Sequence, residues 1–383
     1  MIAMPPAISV ETVRDERAFE GLAGEWDALV AMMQRPSPFL CHSWLLEWWR
    51  HHGRGAMLQV HVARREQRLV GALPLLAVRR CGVRVASYIG GTGAPLADVL
   101  VADANPNAVA ALLLESSAAA GNHLLDVFGA PAHSRLAQAL EPYGLCETEV
   151  VEAPVLALDG GWEKVYREKT NAKRRNLHGR RRRQLEALGK LEVSVARSGR
   201  ELELALEEAF RLHQLRWYGR PDHSDFGTPD GMRFHRAALR AMLALDAPRI
   251  VTLRLDGRAI AFHYHFVLFG RMFVHRLGFD PAYARYSPGL VNTLDAIAAA
   301  AREGARLVEF LGGGERYKLE LADRVEPMYR LVGLPRGVRG RLGAGAAIAQ
   351  MRARLRLKRS PTVNRVYYRS LAPARRLRSA MRS

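Results

Sequence analysis

The sequence predicts an α/β protein in which two similar units follow one another along the chain. Each unit is expected to hold a mixed, mostly antiparallel sheet flanked by helices. A hairpin-like stretch and a helix–glycine–strand stretch each occur once per half, in the same order. Two blocks repeated in the same order indicate a duplicated unit, not an array of short repeats. With 49% apolar residues among 383, the chain is long and apolar enough for two cores.

The hairpin-like stretches are "VARREQRLVGALPLL" (62–76) and "TLRLDGRAIAFHYHF" (252–266). In both, a strand is followed by a turn with an acidic residue, an arginine and a second strand. Arg68 aligns with Arg258. The pair Asp256-Gly257 is a strong signal for a two-residue hairpin turn.

The second pair of stretches is "AVAALLLESSAAAGNHLLDVFG" (108–129) and "GLVNTLDAIAAAAREGARLVEFLG" (289–312). Both run from a helix through a glycine into a strand, an acidic residue and a second glycine. Asp126 aligns with Glu309 and Gly129 with Gly312. We therefore expect an N-terminal unit at 1–155, a C-terminal unit at 156–333 and a basic tail at 334–383. The segment "EAPVLALDGGW" is interpreted as the link between the units.

The net charge of +19 is concentrated near the C-terminus. No acidic residue follows Glu326, and 14 Lys and Arg lie between Arg336 and Arg382, which leaves about +5 for the rest. A second basic run, "KRRNLHGRRRRQ", lies at 173–184. Three cysteines without a C-x-x-C, and no signal-peptide pattern at the N-terminus, favour a cytoplasmic protein. No apolar run approaches the ~20 residues that span a bilayer.

Polar residues on one strand distinguish the second unit from the first. His263 and His265 share one face of "AIAFHYHFVLF", whereas the aligned positions of the first half are Leu73 and Leu75. With a turn near Phe269-Gly270, His263 is expected opposite Arg276. This asymmetry predicts an active second unit and a first unit that serves as scaffold. The alternative is that both histidines are buried core residues.

The segment "RYSPGL" begins a predicted helix at Arg285. A helix start leaves backbone N–H groups free and attracts anions. Ser287 and Pro288 fit ordinary capping, and Gly289 removes a side chain where an anion would approach. Arg276 and Arg285 would add positive charge. The alternative is a plain helix start.

Three further segments supply candidate substrate-binding residues. "KTNAKRRNLHGRRRRQLEALGK" is predicted as one helix, with Arg174 and Arg181 directed at the body of the protein, where they must pair or bind an anion. "ELELALEEAFRLHQLRW" is predicted as a helix in which His213 either lines a pocket or is simply buried. The remaining candidates are Arg216, Trp217, Glu315, Tyr317 and Lys318, the last three in "FLGGGERYK". That glycine run lacks the phosphate-loop spacing, no metal-ligand cluster accompanies the His-x-His pair, and no G-x-S-x-G elbow occurs.

Five segments in this order resemble one family. They are "PFLCHSWLLEWWRHHG", "KTNAKRRNLHGRRRRQLEALG", "LHQLRW", "GFDPAYARYSPG" and "EFLGGGERYK". The set resembles the CelD/BcsL-type, cellulose-biosynthesis-associated branch of the GNAT acyltransferase superfamily over roughly residues 20–330. The resemblance implies two tandem GNAT-like folds and an acyl-CoA co-substrate, and the residues themselves predict no metal. It also implies a pyrophosphate site at Tyr286, Ser287, Pro288 and Gly289.

An acyl-CoA-dependent N-acyltransferase is therefore the expected function. An amine attacks the thioester directly and needs a base, for which His263 and His265 are nominated, with His213 behind them. Tyr286 is nominated to protonate the leaving thiolate. Two alternatives stay open. One is a Fem-like aminoacyl-tRNA-dependent transferase, which shares the tandem architecture, and the other is a non-enzymatic binding protein on the same scaffold.

The tail suggests where the protein works. "AGAAIAQMRARLRLKR" (344–359) is predicted as a basic helix with Ile348, Met351 and Leu355 along one side, typical of a membrane-surface binder. An anionic membrane is thus a candidate partner, and RNA or an acidic polysaccharide is a less favoured one. A lipid-like amine or an envelope or polysaccharide precursor would suit a peripheral position at the inner face of the membrane.

Overall fold

A computed structural model describes residues 7–91, 95–217, 224–313 and 315–359. Residues 1–6 and 360–383, where much of the predicted tail lies, are outside the described residues. The described strands are β1 (Ile8–Val13), β2 (Met57–Arg65), β3 (Arg68–Arg80), β4 (Val83–Tyr88), β5 (Leu100–Val101), β6 (Leu124–Pro131), β7 (Cys146–Ala157), β8 (Leu191–Ala196), β9 (Pro248–Leu255), β10 (Arg258–Leu268), β11 (Arg271–Phe279), β12 (Leu307–Glu309) and β13 (Arg324–Gly333).

The helices cover both faces of the sheet that these strands form. They are α1 (Glu16–Glu20), α2 (Ala23–Ala31), α3 (His42–His52), α4 (Pro106–Ala119), α5 (Arg135–Leu140), α6 (Trp162–Lys169), α7 (Ala172–Glu186), α8 (Gly199–Trp217), α9 (Pro229–Ala241), α10 (Pro288–Arg302), α11 (Arg316–Leu321) and α12 (Gly337–Arg359). The predicted α/β class with two tandem units is confirmed.

All thirteen described strands join one continuous sheet. Its order is β1-β2-β3-β4-β6-β13-β7-β12-β11-β10-β9-β8, with β5 beside β3. Within each unit the order is the same: four consecutive antiparallel strands, then a strand that is parallel to the fourth. The sheet is therefore mixed but mostly antiparallel, as predicted.

The two units exchange strands at the centre of the sheet. β7 pairs with β12 of the second unit, β13 pairs with β6 of the first unit, and β7 and β13 pair with each other. The segment predicted as a link is therefore strand up to Ala157, a correction of that interpretation. The physical reason is that residues 153, 155 and 156 are buried, so this stretch fills a strand position.

Local signals along the chain agree with these elements. Asp256 and Gly257 form the predicted two-residue turn, both with positive φ (49° and 79°). The basic segment is one helix, α7, and the Asn171 side chain caps it by accepting the N–H of Arg174 at 2.9 Å. The aligned acids hold matching positions, Asp126 opposite Ser87 and Glu309 opposite Phe273.

Packing places α8 and α10 on opposite faces of the second unit. Phe262, Tyr264 and Phe266 of β10 pack with α8, α9 and α3, in the large core that both units share. Val251 and Val274 lie in a second core with Ile297 of α10. The face that a β10 side chain occupies therefore decides which helix it meets.

The beginning of α12 is docked, not free. Ala344 and Ile348 pack with Val85, Leu124 and Val332 of the first unit. The side of this helix predicted to face a membrane is thus partly covered, because these two residues contact the sheet. Its exposed side carries Val338 and Leu342, the latter 70% exposed. No helix in the described part of the chain is both long and apolar enough to cross a membrane.

Candidate active site

A gap opens between β11 and β12. β11 pairs with β10 from Arg271 to Phe279, but it pairs with β12 only from Arg271 to Phe273. β12 ends at Glu309, and the next residue, Phe310, donates its N–H to the carbonyl of Pro154 on β7 (3.0 Å). From residue 274 onward, β11 therefore has no strand neighbour on this edge among the described residues, and its peptide groups face the gap.

A β-bulge distorts β11 where the gap begins. His265 pairs with Val274 and Tyr264 pairs with Arg276, so His275 is an extra residue on β11. The bulge turns His275 and Arg276 toward the same cavity. It also moves the register by one, so His263 lies opposite Leu277 and not opposite Arg276 as predicted.

Two cavities follow this strand edge. The first, which we call the bulge cavity, measures about 340 Å³ and is lined by His213, Arg216, Trp217, Ser224, residues 274–277, residues 310–312, Glu315 and Lys318 of the second unit, with Pro95, Phe128, Gly129 and Val151 of the first and Met328 of β13. The second, the helix-start cavity, measures about 500 Å³. Its lining residues are Arg174, Leu177, His178, Arg181, Arg216, Leu277, Phe279, Ala284, Ser287, Gly289, Leu290, Glu315, Arg316, Tyr317 and Glu320. Because Arg216, Leu277 and Glu315 line both, the cavities adjoin.

The bulge cavity holds polar groups that lack hydrogen-bond partners among the described residues. His213 of α8 is 4% exposed, and neither ring nitrogen has a hydrogen bond. Nε2 of His275 and Nε of Arg276 are also buried without a partner. Burial, and then the charges of Arg276 and Arg216, lower the pKa of His213 to about 4, so its ring is neutral near pH 7.

The helix-start cavity carries positive charge. Arg174 forms an ion pair with Glu320, whereas Arg181 has no hydrogen bond or ion pair with any described residue. Both line the cavity, beside the start of α10. Burial, and then Arg181 and Arg174, lower the pKa of His178.

The start of α10 differs in detail from ordinary capping. Ser287 has positive φ (54°), and its side chain makes no capping hydrogen bond, which corrects its expected role. Its backbone carbonyl instead accepts the N–H groups of Leu290 and Val291. A Cβ on Gly289 would lie 2.9 Å from Cδ1 of Phe279, so packing also explains this glycine. Bulky substitutions here would disturb Phe279 as well as any ligand.

The other residues nominated around this helix start lie elsewhere. Arg276 lines the bulge cavity. The guanidinium of Arg285 lies 4.6 Å from the ring centre of Tyr286, and neither residue lines either cavity. Pro288 is buried.

In the segment that follows β12, the side chain of Lys318 bonds to residues that precede it. Lys318 is 3% exposed, and its Nζ donates to the carbonyl of Gly312 at 2.9 Å and contacts Glu315 at 2.8 Å. The close approach that glycine permits at residue 313 is to this carboxylate and ammonium. Tyr317 follows on α11 and lines the helix-start cavity, with burial raising the pKa of its hydroxyl.

His263 and His265 lie together but away from both cavities. Their Nδ1 atoms are 3.2 Å apart, and the side chains are 0% and 1% exposed. His263 lies opposite Val251, which packs with α10, so the pair is on the α10 face. Burial lowers the pKa of His265 to about 3 and that of His263 well below its usual value.

Sequence reasoning missed His275. A regular alternation puts it on the opposite face from Arg276, and only the bulge brings both into one cavity. A bulge leaves no signal in a strand this short. It follows that the two cavities lie along β11 and the end of α8, and that the histidine pair of β10 lines neither of them.

Comparisons with known proteins agree with this fold. Residues 172–319 match the family model described as acetyltransferase (GNAT) domain. That span runs from α7 to α11 and contains most of both cavities. No curated protein matches the chain in sequence. Among the described residues, no group of three or more His, Cys, Asp or Glu could hold a metal ion.

Solved structures resemble the chain over nearly its whole length. FemX has a TM-score of 0.59 at 10% identity, covering 84% of this chain and 96% of its own. The C-terminal domain of a putative lysylphosphatidylglycerol synthetase from Agrobacterium fabrum has a TM-score of 0.55 at 14% identity, covering 88% and 96%. A conserved protein of unknown function from Bacteroides thetaiotaomicron has 0.53 at 14%, covering 85% and 100%. At these identities the likeness concerns the fold alone.

Proposed function

We propose that the protein is a GNAT-type N-acyltransferase of the CelD/BcsL branch that transfers an acyl group from acyl-CoA to an amine. One observation carries the proposal: the unpaired edge of β11 connects the helix-start cavity to the bulge cavity. An extended molecule with amide groups can add to such a strand edge through main-chain hydrogen bonds. The family match to residues 172–319 supports the same class.

The helix-start cavity fits the phosphate end of acyl-CoA. Arg181 offers a guanidinium without a partner among the described residues, and Arg174 lines the same cavity. Gly289 leaves the helix start without a side chain, and helix N-termini favour negative charge. The pantetheine amides would then follow residues 274–277, and the thioester would lie at the bulge. Arg216, which lines both cavities, would be close to the join.

The chemistry then requires a base for the amine in the bulge cavity and an acid for the leaving thiolate where the two cavities adjoin. The amine nitrogen attacks the thioester carbon, a C–N bond forms, the C–S bond breaks, and the amine loses one proton. His213 is the proposed base, because its neutral imidazole lines the cavity and neither ring nitrogen bonds to a described residue. A backbone N–H on the open edge of β11 would stabilise the oxyanion.

The base and the acid that we propose differ from the residues nominated from the sequence. His263 and His265 are too buried to touch an amine in either cavity, so we assign the base to His213. Tyr317 lines the helix-start cavity, whereas Tyr286 does not, so we assign Tyr317 to protonate the thiolate. Burial raises the pKa of this hydroxyl, so it is protonated near pH 7 when the thiolate forms. Trp217, Glu315 and Lys318 complete the wall of the acceptor site.

The test of acyl-CoA binding uses matched arginines on α7. Arg181→Gln should weaken the affinity for acetyl-CoA or a long-chain acyl-CoA by about ten-fold or more, since hydrogen bonds to charged groups contribute ~1.5–3 kcal/mol. Arg183→Gln is the control, because that residue is exposed on the same helix outside both cavities. Calorimetric titration measures both. Equal acyl-CoA affinities for the two variants would contradict the proposal that this cavity binds the phosphate end.

A Fem-like aminoacyl-tRNA-dependent transferase is the second candidate. The exposed outer side of α7, with Lys173, Arg180 and Arg183, is the feature that favours it. Titration with tRNA separates the two, because Arg183→Gln would then weaken tRNA binding and CoA thioesters would not bind. A response to no ligand of either kind would favour a non-enzymatic binding protein.

A peripheral position at an anionic membrane is also proposed. Residues 360–383 contain six arginines, and each basic residue near such a surface contributes about 1 kcal/mol. Removing 360–383 leaves the docked part of α12 in place. The truncated chain should sediment less with vesicles that contain phosphatidylglycerol and equally with neutral vesicles. Unchanged sedimentation on the anionic vesicles would contradict the proposal.

A further inference from the structure

Arg276 is a half-buried cation with no carboxylate partner among the described residues. Its Nη1 donates to the carbonyl of the neighbouring His275 at 2.9 Å, and its Nε is buried without a partner. No Asp or Glu oxygen among the described residues lies within ion-pair distance of it. Other arginines in the same sheet are neutralised: Arg249 by Glu303 at 2.8 Å and Arg271 by Glu309 at 2.8 Å. An unpaired guanidinium at such a position is costly unless a ligand completes it.

Two histidines near Arg276 also have buried nitrogens without hydrogen-bond partners among the described residues. These are His213 (4% exposed) and His275 (8% exposed). Both line the bulge cavity together with Arg276. Buried polar atoms nearly always have hydrogen-bond partners in native structures. Several unsatisfied atoms around one cavity therefore indicate that a polar ligand supplies the missing partners.

The charges of the cavity select an anion. Glu315 is the one acidic residue in the described lining, and Lys318 pairs with it at 2.8 Å. Arg216 also lines the cavity and donates to the carbonyl of Leu277 at 3.4 Å. Arg276 therefore has no acidic residue within ion-pair distance among the described residues, although the charge of Asp225 acts on it, and the described lining as a whole is cationic. Guanidinium groups bind carboxylate and phosphate oxygens with matched geometry.

We propose that the acceptor is a small amine that also carries an acidic group, and that Arg276 binds this group while the amine lies beside His213. The inference rests on the proposed function, since it identifies the acceptor of that reaction. The cavity of about 340 Å³ is at the small end of the ~300–1,000 Å³ typical of ligand sites. An amino acid, or an amine with a phosphate, has the required chemistry.

Binding of such an acceptor would also activate the base. After burial, the positive charges of Arg276 and Arg216 are the causes that lower the pKa of His213. An anion bound to Arg276 opposes this charge and raises the basicity of the imidazole. An amine that lacks the acidic group would therefore bind less tightly and meet a weaker base.

Matched pairs of compounds test the inference on the full chain. The pairs are amino acids with their primary amides, and O-phosphoethanolamine with ethanolamine. We expect the acid-bearing member to raise the melting temperature of the wild type, and its partner to do so much less. With acetyl-CoA present, thiol release should show at least 100-fold higher kcat/KM for the acid-bearing member. A carboxylate source and a phosphate source are distinguished by which pair responds.

The variants complete the test. Arg276→Gln should lose most of the kcat/KM advantage of the acid-bearing amine while its affinity for acetyl-CoA stays unchanged, and Arg276→Lys should restore part of it. Arg236→Gln, which removes an exposed pair with Glu207, is the control and should behave as wild type. Equal responses to acid and amide, or an equal loss for both in a folded Arg276→Gln, would overturn the inference. If no amine releases thiol from any acyl-CoA, the proposed function fails, and the melting-temperature shifts still decide whether the cavity binds acids.

Discussion

The two units share one strand order, yet only the second has an open gap beside its fourth strand. In the first unit the chain leaves β4 after Tyr88 and returns to fill the equivalent space. Leu96 and Ala97 donate their N–H groups to the carbonyl of Gly129 at 2.9 and 3.2 Å, and β5 then pairs with β3. In the second unit β11 continues straight past its bulge, and the aligned Gly312 faces the bulge cavity.

Side chains at matched positions follow the same division. Pro74 of the first unit aligns with Tyr264 of the second. Ile89 donates its N–H to the carbonyl of Pro74, and Arg276 lies opposite Tyr264, so Ile89 holds the position that corresponds to Arg276. Leu73 and Leu75 stand where the second unit has two histidines. The first unit is apolar where the second is polar. It still supplies Pro95, Phe128 and Gly129 to the wall of the bulge cavity, so it completes a site that it does not duplicate.

The largest expected effect compares one buried histidine from each unit. His61 of β2 is fully buried, and its Nδ1 is bonded to Thr12 (3.0 Å) and Ser116 (2.9 Å), whereas His213 has no partner. His213→Phe should lower kcat by about 10²–10⁴-fold, the usual contribution of a general base. Its free energy of unfolding should not fall, since no hydrogen bond is lost.

His61→Phe is the matched change in the first unit. It should lower the free energy of unfolding by about 1–3 kcal/mol, because Thr12 and Ser116 lose a buried partner, and leave kcat unchanged. Steady-state kinetics and urea unfolding measure the two variants. Full activity in His213→Phe would show that His213 is not the base. Loss of activity in a stable His61→Phe would contradict the expectation that the first unit takes no part in catalysis.

A second comparison concerns the aligned acids. Glu309 is fully buried between Arg35 of the first unit and Arg271, each at 2.8 Å, whereas Asp126 is 14% exposed in its side chain and pairs with Arg330. Removing one partner of a buried ion pair costs ~3–5 kcal/mol, so Glu309→Gln should destabilise strongly and Asp126→Asn less. Denaturant unfolding measures both. If Glu309→Gln abolished turnover while remaining stable, Glu309 would be a base and not a structural group.

The sequence predicted the fold through features that are local. The Asp256-Gly257 turn, the cap at Asn171 and the two repeated blocks each depend on neighbouring residues, and each appears in the structure. The strand exchange was not predictable, because the alternation in β7 suits a partner in either unit. Only the completed sheet shows that β7 pairs with β12 and β13.

Several residues nominated from the sequence line the two cavities, but their arrangement was not predictable. Arg174 and Arg181 both line a cavity with the start of α10, and His213, Arg216 and Trp217 line the other. Alternation along β10 shows that His263 and His265 share a face, but it does not show which helix covers that face. The bulge at His275 then shifted the register by one residue, a distortion that depends on tertiary contacts.

A smaller effect is expected at the aligned glycines. Gly129 has φ of 82°, so Gly129→Ala should cost about 1–2 kcal/mol and loosen the segment that fills the first gap. Gly312 lacks a positive φ, and an added Cβ would meet Val151 at an ordinary 3.6 Å. Gly312→Ala should therefore fold with wild-type stability but reduce acceptor affinity, because it narrows the cavity. Melting temperatures and KM values report the two effects, and equal destabilisation would contradict the contrast between filled and open gaps.

The smallest effect is a pH dependence that the two units should share. Burial lowers the pKa of both His61 and His213 to about 4, whereas an unfolded histidine titrates near 6.5. Between these values the unfolded chain binds a proton that the folded imidazole does not, so stability falls as pH falls from about 6.5 to 4. Each histidine contributes a slope of up to ~1.4 kcal/mol per pH unit. The slope of unfolding free energy against pH should decrease by a similar amount in His61→Phe and in His213→Phe. An acidic ligand that binds Arg276 should raise the pKa of His213 and not that of His61. It should therefore reduce the pH slope of the unfolding free energy in His61→Phe, which keeps His213, but not in His213→Phe. An equal change of slope in both variants would mean that the ligand acts elsewhere.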